Sequence, residues 1–149
     1  MSSLTFYILL ALVAGFCLPT QAGINVQLMH LTRSSVLAAM ISFAVGTASL
    51  AGYAVATRIP LPATAPLAGA PLWVWSGGCI GAFYVFSTIV LAPKIGALSM
   101  ISLIMAGQLV ASLILDHFGW LGYPVHPINL WRIVGVLLLV GGVALIKAF

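Results

Sequence analysis

The side chains able to do chemistry are few and lie far apart. One carboxylic side chain, Asp116, stands against five Lys and Arg residues and three histidines, so general acid and base work by two paired carboxylates is impossible within one chain. Cys17 and Cys79 sit in no metal-ligand spacing, and no P-loop, GxGxxG, HExxH or paired CxxC occurs. The sequence therefore points away from an enzyme and implies no cofactor and no metal. What remains is a set of amides and hydroxyls inside apolar runs. Gln21 and Asn25 lie one helical turn apart just after Pro19, and Gln108, Ser112 and Asp116 follow at i, i+4 and i+8, with Ser99, Ser102 and Gly107 extending the strip. In a medium without water such groups need partners, either another helix or a solvated cavity. Both readings are open for Gln108 and Asn25, the latter also as an interfacial cap. Asp116, near His117 and Arg132, is expected in an ion pair or a helix-to-loop hydrogen bond.

These residues must be positioned by a chain that avoids water. Hydrophobic residues fill 63% of its 149 positions and charged ones 4%, with a mean hydropathy of +1.26, which leaves too little polar surface for a soluble domain. The lipid bilayer is the expected partner. Five segments reach the roughly 18 residues or more that cross the hydrocarbon core as helix, at about 4–27, 36–57, 72–92, 97–115 and 130–148. They define an all-α membrane protein with a single transmembrane domain over residues 1–149; a lipid-facing barrel would need many short alternating segments. The first segment lacks the basic residues that open a signal peptide, and Phe16 is bulky for a lipidation box, so it reads as a mature helix. Both cysteines read as packing residues.

Pro60, Pro62, Pro66 and Pro71 make the second connection extended, Pro93-Lys94-Ile95-Gly96 predicts a tight turn that sets spans three and four antiparallel, and Pro19 should kink or loosen the first helix. Trp73, Trp120 and Trp131 suit the interfacial belt, while Trp75 and Tyr84 lie deeper, as pocket wall or core. Basic residues divide almost evenly, Arg58 and Arg132 on one side and Arg33, Lys94 and Lys147 on the other. Orientation follows an excess of Lys and Arg on the cytoplasmic side, so this distribution fits insertion in both orientations as well as a weakly favoured single one. The scattered charges form no basic stripe, which argues against nucleic acid. Small residues at helix-packing spacing occur as Gly77 with Gly81 and Gly78 with Ala82, read as packing within one subunit, and as Gly135, Gly141 and Gly142, read as a contact between subunits.

The order Pro19-x-Gln21-Ala22-Gly23-x-Asn25, Ser42-Phe43-x-x-Gly46, Gly77-Gly78-x-x-Gly81-Ala82-Phe83-Tyr84-Val85, Ala106-Gly107-Gln108-Leu109-x-x-Ser112, Asp116-His117-Phe118-Gly119 and Arg132-x-x-Gly135 resembles the bacterial YdcZ-like family of the drug/metabolite transporter superfamily. The resemblance implies a multi-pass protein of the bacterial inner membrane. Full-length superfamily members look like two five-helix halves of opposite orientation, so it further implies that this half-size chain completes a ten-helix antiparallel dimer with inverted two-fold symmetry. The second half would be an inverted copy of itself or an inverted paralogue.

On this footing the expected function is transport of a small organic solute by alternating access. Gln108, Asn25, Gln21, Ser112, Tyr84 and Trp75 are the expected substrate-binding residues, and Gly135, Gly141 and Gly142 the expected dimer seam. A dual-topology ion channel and a non-transporting assembly subunit are the alternatives. No carboxylate stands at mid-membrane, so neutral or amphipathic solutes fit best, and coupling through Asp116, His117 or His126 stands beside facilitated passage.

Overall fold

A computed structural model describes residues 3–60 and 69–148. The segment of the second connection that holds Pro62 and Pro66 lies outside the described residues. Five α-helices account for most of the rest: α1 Ser3–Thr32, α2 Ser35–Ala56, α3 Ser76–Ile95, α4 Ala97–Phe118 and α5 Leu130–Ala148, with 3₁₀ turns at Leu72–Trp75 and Trp120–Gly122. Four stretches, Leu4–Thr32, Ser35–Ala56, Leu72–Ile95 and Ala97–Phe118, are long and apolar enough to cross a membrane, and the apolar run Leu130–Ile146 is shorter. In the most apolar window of Leu4–Thr32 no residue is buried. Large apolar side chains face outward on every helix, the surface that lipid requires and water would not tolerate.

The chain divides into two compact units, one ending at Lys94 and the other beginning at Ile95. In the first, α1 runs five residues beyond the expected boundary at Gln27, and only Arg33 and Ser34 separate it from α2. Arg33 takes a left-handed φ of 54°. Ser34 is extended and caps α2, its hydroxyl oxygen accepting from the Leu37 amide at 3.3 Å. The Thr32 hydroxyl donates to the carbonyls of Leu28 and Ser34. A connection this short makes α1 and α2 an antiparallel hairpin. Its core joins Ala38 and Ala39 of α2 to Val85 and Ile89 of α3, with Leu28, Met29 and Tyr84 packed against it. The small alanines admit the branched side chains, which stand one turn apart on α3. On the same helix a Cβ at Gly81 would sit 3.6 Å from the Phe43 ring, whereas one at Gly77 or Gly78 would meet no atom of the described residues within 4 Å.

Proline does less damage here than its local chemistry predicts. α1 continues unbroken through Pro19, and the expected loosening comes down to one lost amide donor to the Gly15 carbonyl. α3 also runs through Pro93 and stops only at Ile95, because Gly96, at φ 78°, turns the chain out of the helix. The start of the third span departs from expectation too. Pro71 and the weak helix formers Ser76, Gly77 and Gly78 leave Leu72–Trp75 as a 3₁₀ turn, closed by the Ser76 hydroxyl donating to the Trp73 carbonyl at 2.6 Å.

In the second unit α4 extends to Phe118, three residues past the expected boundary, and ends on Gly119 in the left-handed conformation. A Cβ at Gly119 would lie 2.6 Å from Val125 Cγ2 and 3.4 Å from the Tyr123 carbonyl oxygen, so a side chain there is excluded by both backbone angle and space. The loop returns to α5 through Asn129, whose Oδ1 accepts from the Arg132 amide at 2.9 Å as an N-cap.

Candidate solute-binding site

Within the first unit, Gln21 and Asn25 meet as their spacing predicts. With Phe16, Cys17, Thr20 and Ile24 of α1 and Ser42 of α2 they line an open groove of about 380 Å³. Asn25 is only 3% exposed, and its Nδ2 has no hydrogen-bond partner among the described residues. Ser42 stood in the sequence as part of the Ser42-Phe43-x-x-Gly46 motif with no site role; that it lines the same groove as Asn25 depends on how α1 and α2 register in the hairpin. Tyr84 packs on the core of α2 and α3 instead, and Trp75 stands exposed on the 3₁₀ turn before α3.

Within the second unit, Ser112 and Asp116 line a groove of about 230 Å³ together with Arg132 and Gly135. Its polar end is built around one ion pair. Arg132 Nη2 donates to Asp116 Oδ2 at 2.7 Å, with the two side chains 34% and 26% exposed. Arg132 Nη1 donates to the His126 carbonyl at 2.8 Å, and the His126 amide donates to the Asp116 carbonyl at 2.8 Å. His117 Nδ1 accepts from the Ile128 amide at 3.1 Å. These bonds fold the loop between α4 and α5 back onto the helix ends, and the ion pair expected of Asp116 is present. Gln108 lies on α4 outside this groove, exposed, and makes no hydrogen bond among the described residues. Ser102 does not extend the polar strip, because it is buried and its hydroxyl donates to the Leu98 carbonyl at 2.8 Å.

The three seam glycines separate. Gly135 and Gly142 each line a groove shared with α4 of the same chain, while Gly141 is exposed. A Cβ at any of the three would meet no described atom within 4 Å.

Long apolar helices, an outward apolar surface and amides set into grooves define a multi-pass helical membrane protein. Residues 6–145 match the family model DMT_YdcZ, described as "Putative inner membrane exporter, YdcZ". The chain belongs to that family and is a multi-pass protein of the bacterial inner membrane. It is also similar to the inner membrane protein YdcZ of Escherichia coli (strain K12), 35% identical over 74 residues, or 50% of this chain; that match spans 49% of the relative's length. No solved structure matches.

Proposed function

We propose that the chain moves a small organic solute across the inner membrane, as an exporter, by alternating access within an inverted homodimer of five-span subunits. One observation carries the reading: in a single copy, Gln21, Gln108 and Ser112 face outward from helices whose surroundings are lipid. An amide left in hydrocarbon costs several kcal/mol, on the order of 4–8 by transfer to cyclohexane. A second copy enclosing a polar cavity removes that cost, and inversion gives the cavity two equivalent gates. The family description as an exporter supports the same reading. In this dimer Gln21, Asn25, Trp75, Gln108 and Ser112 contribute to the cavity from both subunits, Tyr84 backs it from the core of α2 and α3, and α5 contributes to the seam through the exposed Gly141.

The coupling has little acidic chemistry to draw on. Asp116 is the sole carboxylic side chain and is engaged by Arg132, which leaves facilitated passage or coupling through an ion carried with the solute as the simpler mechanisms beside proton coupling through His117 or His126. The test is a solute screen by thermal shift on purified protein in lipid, followed by flux in proteoliposomes for each stabilising solute. Saturable, protein-dependent flux supports a carrier. Bulk ion currents with no stabilising solute would replace it with a channel.

A further inference from the structure

The packing of the first unit brings two cations to one end of it. Gly81 lies against the Phe43 ring, and Ala38 and Ala39 pack on Val85 and Ile89, so α2 and α3 are antiparallel in a fixed register. At 1.5 Å per residue, Arg33 lies about 15 Å and Lys94 about 20 Å from the Phe43–Gly81 level, in the same direction. Both are exposed, and neither side chain makes an ion pair or hydrogen bond among the described residues. The first unit contains no Asp or Glu. Asp116, the sole carboxylic side chain of the sequence, is held by Arg132 in the second.

A groove between α2 and α3 leads toward these cations. Val36, Met40 and Phe43 stand at i, i+4 and i+7 on α2 and line it with Ala82, Phe83 and Phe86 of α3. It holds about 360 Å³, and no polar or charged side chain lines it. From Phe43 it extends roughly 10 Å along α2 to Val36, three residues short of Arg33. Hydrocarbon fits such walls, whereas a polar solute would lose hydration there without gaining a partner.

We infer that this groove seats an anionic phospholipid, with one acyl chain between α2 and α3 and the phosphate at Arg33 and Lys94. An apolar trough headed by two unpaired cations is complementary to an amphiphile whose charged end is negative. A zwitterionic lipid fills the trough equally well but brings an ammonium group of its own to the two cations. A second copy of the chain would cover the apolar walls, yet it offers one carboxylate, already paired, against two cations. The site is built from the first unit alone and needs neither solute transport nor an inverted partner.

The full chain, purified in mild detergent and stripped of lipid, is offered equimolar phosphatidylglycerol and phosphatidylcholine with identical acyl chains, and native mass spectrometry counts what each chain retains. Phosphatidylglycerol should be preferred roughly 25-fold, about fivefold or ~1 kcal/mol for each cation. Arg33→Gln and Lys94→Gln should each remove one fivefold step, and the double variant should erase the preference. Arg58→Gln, at the far end of α2 from the groove, should leave it unchanged. Ala82→Leu, which fills part of the trough, should lower retention of both lipids, and the chainless headgroup glycerophosphoglycerol should not displace the bound lipid.

Equal retention of the two lipids by the unmodified chain overturns the inference, and this comparison decides even where a variant does not fold. So does a preference that survives the double variant, or one that Arg58→Gln reduces as much as Arg33→Gln, which would report general surface charge. Displacement by the headgroup alone, or full retention in Ala82→Leu, also overturns it by taking the acyl chain out of the groove. Selective retention by monomers that is lost in dimers would assign the groove to a second copy instead.

Discussion

Arg132 and Asp116, sixteen residues apart, join α5 to the end of α4 through a 2.7 Å contact between Nη2 and Oδ2. The same guanidinium holds the His126 carbonyl, so one side chain fixes both the carboxylate and the loop between the helices. Partial exposure limits the value of such a pair to about 0.2–1 kcal/mol. Asp116→Asn and Arg132→Gln should each lower the melting temperature of the purified protein, and the double variant should lose less than the sum of the two. Strict additivity in that cycle would mean that the pair contributes nothing beyond its separate loop contacts.

The nearly even division of Lys and Arg predicts that a C-terminal tag is reached from both faces of the membrane across a population of molecules. Two or three lysines added at the C-terminus should then fix one orientation. A single orientation in the unmodified chain would exclude self-inversion and make a separately encoded, inverted partner the better candidate.

Gly141 is the exposed glycine of the α5 set, whereas Gly135 and Gly142 look toward α4. Gly141→Leu should therefore weaken the proposed antiparallel dimer with little effect on the fold of each subunit. Mass measurement in mild detergent distinguishes the outcomes: an unchanged dimer places the seam on another helix.

For Gln108, exposed on α4 in the single chain, replacement by Leu removes hydrogen bonding at similar size. If Gln108 faces solute or water in the cavity, Gln108→Leu should fold and dimerise nearly as before and lose binding or flux. If it bonds to another helix, stability should drop by about 1–2 kcal/mol and activity only in proportion. Full activity with full stability takes Gln108 out of the site.

The apolar runs made four of the helices and the outline of the fifth legible, because length and hydropathy are properties of each segment taken alone. The Gln21–Asn25 pairing was legible for the same reason, since one turn of helix places i and i+4 on one face. Helix ends were less so. α1 passes Gln27 and α3 passes Pro93 because a helix in lipid keeps its backbone bonded wherever it can, and that pressure outweighs a local proline. Ser42 and the Ala38–Ile89 core depended on how helices register against each other, which no single segment encodes. The cross-bonding of the loop between α4 and α5 through Arg132 became visible only once the ends of the two helices were placed.

The two-residue link at Arg33-Ser34 has a consequence for biogenesis. With only Arg33 at its tip and the cap of α2 made by Ser34 itself, the α1–α2 hairpin leaves a translocating chain one charge to carry across the bilayer. That toll is about 2.5–3.5 kcal/mol at the membrane centre on the insertion scale. A hairpin with so small a barrier at its tip puts little of its own weight on which face of the membrane that tip comes to rest.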